Sequence, residues 1–383
     1  MTPSARLAAA IEVLNRILGG APAEPALTNW GRASRFAGSG DRAAVRDLVF
    51  DALRRRRSAA ARGGAMTGRG LVLGLCRERG QEQLFSGEGH APAPPTVADL
   101  GHEPDPAEAM DLLDWLLPDL RASLGTALEP VAEALRQRAP VFLRVNLARI
   151  DREGAARTLA AEGIVAVPHP LASTALQVTE NARKVQASQA YQSGLVELQD
   201  ASSQAVVEKL PLVNGMRVLD HCAGGGGKTL AMAARADLGL YAHDIAPKRM
   251  TDLPVRAKRA GARVTLTADP EAQAPYDLVL VDAPCSGSGS WRRDPEGKWA
   301  LTPEALMHLE GAQAAILTRT AEMVAPGGML AYATCSLLHQ ENASQITRFM
   351  GTKPGWGLID ETNFSPLLGG DGFYIALMQR SGT

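Results

Sequence analysis

From Met216 to the end of the chain, short apolar runs alternate with helical patterns at a regular pitch. The apolar runs begin at Arg217, Gly239, Ala262, Tyr276 and Gly328, and predicted helices begin at Lys228, Lys248 and Pro303. Such alternation indicates a parallel sheet covered by helices on both faces. The final run, Asp371–Arg380, fits an antiparallel edge strand. We therefore predict an α/β, doubly wound fold for this part of the chain.

Two cysteines follow predicted strands in this region. Cys285 comes four residues after the run Tyr276–Val281, and Cys335 comes two residues after the run Gly328–Ala333. Open α/β sheets bind ligands at the edge formed by the carboxyl ends of their strands. We therefore expect both thiols to face one pocket.

Acidic residues surround a glycine-rich loop in the same region. The loop, Asp220-His-Cys-Ala-Gly-Gly-Gly-Gly-Lys-Thr229, opens a predicted helix, where backbone amides favour a carboxylate or a phosphate. It lacks the GxxxxGK[ST] spacing of nucleoside-triphosphate loops, because Cys222 stands where a glycine is needed. Asp244 ends the second predicted strand and Asp269 the third, positions that suit ribose hydroxyls and an adenine amino group. Together these residues predict a nucleoside-containing cofactor.

The cysteine pattern and the hydropathy limit the classes of protein to which this chain can belong. The four cysteines form no CxxC pair and no Cys/His cluster, which argues against a zinc site and a disulfide framework. No apolar run reaches the length of a membrane span, and the first residues lack a signal-peptide pattern. We expect a cytoplasmic monomer without a membrane anchor or a resident metal.

Residues 1–135 have an uneven charge and mostly helical patterns, the last of them over 107–137, with an irregular Gly- and Pro-rich stretch at 87–106. Residues 1–70 carry twelve Arg and five acids, whereas residues 97–133 carry nine acids and one Arg. The run Arg54–Arg57 fits the carboxyl end of a helix, where cations suit the dipole, and fits an RNA-facing surface equally well. Residues 136–213 form a small αβ module with a helical linker, in which 183–213 is predicted to be mostly helical.

Three motifs resemble those of the S-adenosylmethionine-dependent RNA cytosine-5 methyltransferases of the Sun/Nol1/Nop2 family. They are Asp282-Ala-Pro-Cys285-Ser-Gly, Thr334-Cys335-Ser336 and Gly226-Gly-Lys-Thr229. Further matches are Arg144-Val-Asn146, Gln199–Ser203, Glu341-Asn342 and Asp371–Tyr374, so the resemblance covers roughly residues 140–380. The Arg-rich start, with Gly38–Arg42, resembles more weakly the NusB-like domain of the bacterial 16S rRNA members.

The resemblance implies three domains and a set of roles. A NusB-like RNA-binding domain would occupy residues 1–135, the αβ module 136–213, and a seven-stranded Rossmann-like methyltransferase domain 214–383. Cys335 would add to C6 of the cytosine, Cys285 would assist release, and Asp282 would act at N3. Lys228 would contact the base or steady Asp282. The implied cofactor contacts are Cys222, Ala223, Gly224, Gly225, Gly226, Gly227, Lys228, Asp244, Arg249, Asp269 and Asp282.

RNA phosphates would be bound by cations in two regions. The candidates are Arg292, Arg293 and Lys298 after the first cysteine motif, and Arg42, Arg54 and Arg55 near the start of the chain. Solvated surface charge is the alternative explanation for the first three. The cofactor loop departs from the family pattern at Gly224-Gly225, where Ala-Pro is usual, and His339 replaces a common proline. These departures bear on loop rigidity and cofactor affinity.

The implied activity is methylation of C5 of a cytosine in rRNA, with 16S rRNA as the expected partner. The motifs leave two alternatives open: the same chemistry on tRNA or another RNA, and an RNA-binding assembly factor with an inactive methyltransferase domain. A methyltransferase for small molecules or proteins is disfavoured, because it explains neither the paired cysteines nor the Arg-rich start.

Overall fold

A computed structural model describes residues 1–382 of the chain. They divide into two compact units, residues 1–138 with 291–300, and residues 139–290 with the chain from residue 301 onward. Within residues 1–382, none of the helices combines the length and the apolar character of a membrane span.

The first unit is helical, as its periodicity predicts. Its helices in the first 138 residues are α1 (Pro3–Leu18), α2 (Ala23–Ala33), α3 (Ser39–Arg54), α4 (Arg56–Gly63), α5 (Gly68–Glu78), α6 (Pro106–Ala109), α7 (Leu117–Leu124) and α8 (Leu128–Arg136). Helix α1 buries Leu7, Val13 and Leu14 in a core shared with α3 and α5. The helix predicted over 107–137 is instead broken in two places, near Asp111 and at Gly125, where φ is positive at 52° and 54°.

The second unit begins with the small αβ module. Its elements are β1 (Val141–Val145), α9 (Arg152–Ala161), β2 (Val165–Pro168), β3 (Ala175–Glu180), α10 (Gln189–Gln192), β4 (Val196–Leu198) and α11 (Ala201–Glu208). The four strands form an antiparallel sheet in the order β2-β3-β1-β4. The prediction that 183–213 is mostly helical was wrong at β4, which at three residues is too short to show a strand period.

The remaining residues form the seven-stranded sheet. In chain order the elements are β5 (Arg217–Asp220), α12 (Gly227–Ala233), β6 (Gly239–Ala242), α13 (Leu253–Ala260), β7 (Thr265–Leu266), β8 (Tyr276–Asp282), α14 (Pro295–Ala300), α15 (Pro303–Ala321), β9 (Val324–Thr334), α16 (Ala343–Thr352), β10 (Trp356–Phe364) and β11 (Phe373–Arg380). Helix α14 lies in residues 291–300 and so belongs to the helical unit. The strand order is β10-β11-β9-β8-β5-β6-β7.

The sheet is parallel from β7 to β9 and antiparallel at β10 and β11. Strand β8 is covered on both faces, because Leu278 and Leu280 pack into one apolar core while Val279 and Val281 pack into another. This confirms the doubly wound α/β prediction. The final strand was misplaced: β11 is antiparallel but lies between β9 and β10, so β10 forms the edge.

Candidate active site

The two cysteines that follow β8 and β9 lie side by side. The strands are parallel neighbours with Asp282 opposite Ala333, so the segments that leave them emerge at the same edge of the sheet. Sγ of Cys285 lies 3.5 Å from Sγ of Cys335, and both side chains are partly accessible. The structure therefore brings the two predicted catalytic thiols into one pocket.

A buried carboxylate, Glu341, joins the two cysteine segments. Its Oε1 accepts from the Ser286 backbone amide at 2.8 Å and from Gln313 Nε2 at 3.0 Å. Its Oε2 accepts from the hydroxyls of Ser286 and Ser336 at 2.5 Å each. These serines directly follow Cys285 and Cys335, so one side chain holds both segments. The sequence prediction gave Glu341 no role, although a serine after each cysteine was the available signal.

A second contact places the Cys285 segment against the start of β11. The Gly372 amide donates to the Gly289 carbonyl at 2.9 Å. A Cβ at Gly289 would lie 2.1 Å from the Gly372 carbonyl oxygen, so only glycine permits this approach. Phe373 follows directly, and its ring centroid lies 4.7 Å from Nζ of Lys228. The Asp371–Tyr374 match therefore has a structural basis in this packing.

Lys228 and Asp282 form a close ion pair at the edge of the same pocket. Nζ of Lys228 lies 2.8 Å from Oδ2 of Asp282, with side-chain exposures of 8% and 33%. Burial lowers the pKa of Lys228 and the Asp282 carboxylate raises it, and the net direction is upward. The lysine therefore stays an ammonium, as is required if it steadies Asp282.

The electrostatics of the pocket distinguish the two thiols. The hydrogen bond from Cys285 lowers the pKa of Cys335 against the opposing effects of burial and Asp282, and the Lys228 ammonium lowers it further. The same hydrogen bond, burial and the Glu341 carboxylate raise the pKa of Cys285 well above its ordinary value. The arrangement favours a thiolate at Cys335 and a thiol at Cys285.

The glycine-rich loop lies between β5 and α12 and is held to the end of β6. The Gly224 amide donates to Oδ2 of Asp244 at 2.9 Å, and Arg249 pairs with the same oxygen at 3.1 Å. A Cβ at Gly226 would lie 2.2 Å from Leu253, so the loop runs directly along α13. Gly224 also has φ of 51°, which disfavours the Ala that is usual there in the family pattern.

A cavity of about 530 Å³ opens beside Asp244. Its lining includes Asp244, Ile245, Leu266 and Thr267, and the Ile245 side chain is 88% exposed. An acid beside an exposed apolar face suits a ribose joined to a flat base. Asp269 is absent from the residues that line this cavity; it lies three residues past β7, and its Oδ1 accepts from the Ala272 amide.

Three titratable groups lie at the start of the loop: Asp220, His221 and Cys222. Burial raises the pKa of Asp220 to about 7, and its Oδ2 accepts from the Thr229 hydroxyl at 2.6 Å. Its Oδ1 has no hydrogen-bond partner in residues 1–382. Burial lowers the pKa of His221 to about 4 and raises that of Cys222 far above its ordinary value, so neither is charged near neutral pH. The described residues hold no group of three or more His, Cys, Asp or Glu suited to a metal.

The Arg144-Val-Asn146 match on β1 contacts the loop region. Nη1 of Arg144 donates to the Gly227 carbonyl at 2.6 Å and to Oε1 of Gln199 at 2.5 Å. Asn146 donates to the Ala260 carbonyl at 2.9 Å, at the end of α13. The small αβ module is thereby attached to both helices that flank the loop.

The candidate RNA-binding cations are divided by burial, and all six lie in the helical unit. Arg54, Arg292 and Lys298 are 8%, 4% and 1% exposed. Lys298 donates to the carbonyls of Arg54 at 3.1 Å and Asp111 at 2.7 Å, while Arg54 donates to the Arg292 carbonyl at 2.7 Å. Phosphate contacts from these three do not fit that burial, so this part of the prediction is corrected.

The other three cations are more accessible. Arg42 and Arg293 are exposed, whereas Arg55 is paired with Glu78 at 2.9 Å. An arginine already paired with a carboxylate has to give up that partner to bind a phosphate. Among the described residues Arg42 is exposed and makes no ion pair, so it remains the candidate that the geometry favours, while Arg293 remains a candidate through its exposure alone.

Family models match two parts of the chain. Residues 207–378 match the model described as 16S rRNA methyltransferase RsmB/F. Residues 114–186 match the ferredoxin-like domain described for RsmF/B-like methyltransferases. The matches cover the seven-stranded sheet and most of the small αβ module.

Curated relatives carry the name ribosomal RNA small subunit methyltransferase B. The protein from Salmonella arizonae is 33% identical over 279 residues, and that from Citrobacter koseri is 34% identical over 278 residues. In both cases the match spans 68% of this chain and 65% of the relative.

Solved structures share the fold at lower identity. The crystal structure of PH0851 aligns with a TM-score of 0.80 at 20% identity over 99% of both chains. A methyltransferase homolog from Pyrococcus horikoshii aligns with a TM-score of 0.63 at 24% identity, over 71% of this chain and 96% of that one. NSun6 from Pyrococcus horikoshii, solved with SFG, gives 0.62 at 17% identity, over 71% of this chain and 99% of that one.

Proposed function

Because the chain belongs to the RsmB/F methyltransferase family through residues 114–186 and 207–378, we propose that it methylates C5 of a cytosine in small-subunit rRNA. The observation that carries this proposal is the 3.5 Å contact between Cys285 and Cys335 beside the Lys228–Asp282 pair. C5 of cytosine is a poor nucleophile, and a thiolate that adds to C6 overcomes this barrier. A pocket with one thiolate and one thiol has the groups that such chemistry needs.

S-adenosylmethionine supplies the electrophilic methyl group when it is bound. The residues of the loop region fit this cofactor: Asp244 would bind the ribose hydroxyls, and the exposed Ile245 would pack on the adenine. Loop amides at the start of α12 and the unpartnered Oδ1 of Asp220 offer donors and an acceptor for the amino-acid end. Asp269 would have to reach the adenine from outside the lining of the cavity.

The thiolate of Cys335 opens the reaction. Its sulfur bonds to C6, and the electron pair of the C5–C6 double bond moves toward C5 and N3. Asp282, paired with the Lys228 ammonium, holds the exocyclic amine and stabilises the charge that develops at N3. Lys228 holds the Asp282 carboxylate in place. After C5 has been methylated, a water molecule acts as the base and takes the C5 proton, the double bond forms again and the Cys335 sulfur is expelled as a thiolate. The thiol of Cys285 stabilises that thiolate through the hydrogen bond seen between the two sulfurs.

Transfer of a labelled methyl group tests the activity. The protein is incubated with S-adenosylmethionine labelled in the methyl group and with unmodified 16S rRNA, tRNA or small ribosomal subunits, and the RNA is digested to nucleosides. We expect label in 5-methylcytidine from 16S rRNA, free or in the subunit. Label only in tRNA would favour the tRNA alternative. Cofactor binding without transfer to any RNA would favour an inactive assembly factor.

Cofactor binding can be tested separately with Asp244→Ala. Loss of a buried acceptor costs about 1 to 3 kcal/mol, so the affinity for S-adenosylmethionine should fall roughly tenfold or more. Isothermal titration measures the effect. Asp237→Ala is the control, because its side chain is 75% exposed and it lies outside the cavity beside Asp244. Equal affinity of Asp244→Ala and the control would reject the role of Asp244.

A further inference from the structure

The corner between α2 and α3 exposes an aromatic ring. Phe36 is 76% exposed, and every other Phe, Tyr and Trp side chain in residues 1–382 is buried or half-buried. Single exposed apolar residues are common on protein surfaces. The surroundings of Phe36 therefore decide whether its exposure has a use.

Three arginines lie within six residues of Phe36 in the sequence and make no ion pairs in residues 1–382. Arg32, Arg35 and Arg42 are all exposed, and none of them makes a salt bridge or a side-chain hydrogen bond in the described residues. Arg32 and Arg42 line one surface cavity of about 390 Å³. The acid in the same turn, Asp41, is occupied by Arg6 at 2.8 Å and by the terminal amine at 3.2 Å. The corner is therefore locally cationic.

Most other arginines of the helical unit differ in this respect. They pair with acids, many of which are distant in sequence: Arg46 with Glu24, Arg55 with Glu78, Arg57 with Asp114, Arg62 with Glu103, Arg69 with Asp99, Arg79 with Asp51, Arg136 with Asp111 and Arg138 with Asp47. The unpaired positive charge of the Arg-rich start is thus found at the α2–α3 corner. On much of the remaining surface of the helical unit, carboxylates neutralise the arginines.

We propose that the α2–α3 corner, defined as Arg32, Arg35, Phe36 and Arg42, binds single-stranded RNA. A base stacks on the Phe36 ring, and the arginines contact the flanking phosphates. An exposed ring beside cations suits an unpaired base, whereas the bases of a duplex are stacked on one another. The choice of RNA as the ligand rests on the proposed function; the location of the surface rests on the exposure and on the missing ion pairs.

Binding of a fluorescein-labelled single-stranded RNA of about twelve nucleotides, followed by anisotropy, tests this surface. The whole chain is used. Phe36→Ala should weaken binding by roughly five- to a hundredfold, since one base–aromatic stack contributes that much. Phe36→Leu keeps an apolar side chain but removes the flat ring, so it should lose most of the same affinity. Phe36→Trp should retain binding. Because the side chain is 76% exposed, all three variants should fold normally.

The arginines are tested through the salt dependence of binding. Arg32→Ala/Arg35→Ala/Arg42→Ala should lower the slope of log affinity against log salt by roughly two, because each phosphate contact on a single strand contributes about 0.7. The control is Arg121→Ala/Arg157→Ala/Arg263→Ala, which removes the same charge from exposed positions elsewhere. The control should keep nearly the wild-type slope.

Two outcomes overturn the inference. One is wild-type RNA affinity in Phe36→Ala, which would leave the corner to a protein partner; the other is an equal loss of slope in the two triple variants. The methyl-transfer assay tests the proposed function independently of the RNA-binding surface. RNA binding that depends on Phe36 in a protein that transfers no methyl group would refute the function and leave this surface established. If the protein transfers methyl groups but its RNA affinity is unchanged by substitution of Phe36, only the proposed RNA-binding surface would be refuted.

Discussion

The cysteine pocket and the arginine surface of the helical unit use polar groups in opposite ways. In the pocket, Glu341 is fully buried and accepts four hydrogen bonds, so each partner depends on the others. On the arginine surface, a pair such as Arg46–Glu24 is about half exposed, so water can replace either member. Removing one member of a buried network leaves unsatisfied groups, whereas removing one member of an exposed pair does not. Substitutions should therefore have large effects in the pocket and small effects on the surface.

The largest effect is expected at the two thiols. Cys335→Ala should abolish methylation and any covalent RNA complex, because without addition to C6 the ring carbon never becomes nucleophilic. Cys285→Ala should still allow addition and methyl transfer but slow the expulsion of Cys335. Protein covalently bound to methylated RNA should then accumulate and appear as a shifted band on denaturing gels.

The two variants also serve as controls for each other. Either one removes a single partly buried sulfur, so a general loss of folding should affect both alike. The reverse pattern, with an adduct in Cys335→Ala and none in Cys285→Ala, would show that the roles are exchanged. In that case Cys285 would be the nucleophile and Cys335 would assist its release.

The next effect is expected at Glu341. Glu341→Gln replaces one carboxylate oxygen by an amide nitrogen, which cannot accept from the Ser286 and Ser336 hydroxyls. A hydrogen bond to a charged group contributes about 1.5 to 3 kcal/mol, so a loss of transition-state positioning equal to one such bond should lower kcat by roughly 10- to 150-fold. Since Glu341 holds the cysteine segments and lies outside the cofactor loop, the affinity for S-adenosylmethionine should be unchanged. Single-turnover kinetics and titration measure the two quantities.

A matched control is Glu322→Gln, at a side chain that is 66% exposed and paired with Lys353. It should keep the wild-type kcat. If Glu341→Gln weakened cofactor binding as strongly as it slowed turnover, Glu341 would be a general structural residue and not a positioning residue for the two cysteines.

Lys298 is a buried cation within the helical unit, so it can be compared with the exposed ion pairs of the same unit. Burial lowers its pKa from 10.5 to about 7, with Asp111 opposing the shift and Arg136 adding to it. The folded chain thus binds fewer protons than the unfolded chain between those values. The contribution of Lys298 to the free energy of unfolding therefore rises with pH across this window and is least favourable below it.

Lys298→Met should remove this dependence. Each pH unit inside the window corresponds to about 1.4 kcal/mol, so between pH 7 and pH 9 the variant should lack a rise of about 2 to 3 kcal/mol. Urea unfolding followed by tryptophan fluorescence is suitable, since Trp30, Trp115, Trp291 and Trp299 all lie in the helical unit. Lys184→Met, at an exposed lysine, is the control. An unchanged pH dependence in Lys298→Met would show that Lys298 stays charged through its carbonyl contacts.

The sequence predicted the pocket far better than the arginine surface, and the reason is physical. Cys285 and Cys335 each follow a buried strand within a few residues, so strand pattern and parallel topology suffice to bring them together. Lys298 looked like a loop cation suited to phosphates, yet it lies 1% exposed against carbonyls from α3 and near α6. Ion pairs such as Arg62–Glu103 depend on packing between residues far apart in the chain, and no local pattern contains that information.

The smallest effect is expected at Arg46. Its substitution is a well-matched comparison for that of Arg42, because the two arginines lie one turn apart on α3 and line the same cavity. Arg46 pairs with Glu24 and stacks over the ring of Phe50, with 5.0 Å between its guanidinium carbon and the ring centroid. Exposed pairs contribute about 0 to 1 kcal/mol, so Arg46→Ala should change the free energy of unfolding by less than about 1 kcal/mol. Its RNA salt slope should stay near that of the wild type, whereas Arg42→Ala should lower the slope by about 0.7. Equal slopes of log affinity against log salt in the two variants would mean that an arginine paired with a carboxylate binds RNA as well as an unpaired one. The distinction between paired and unpaired cations would then be wrong.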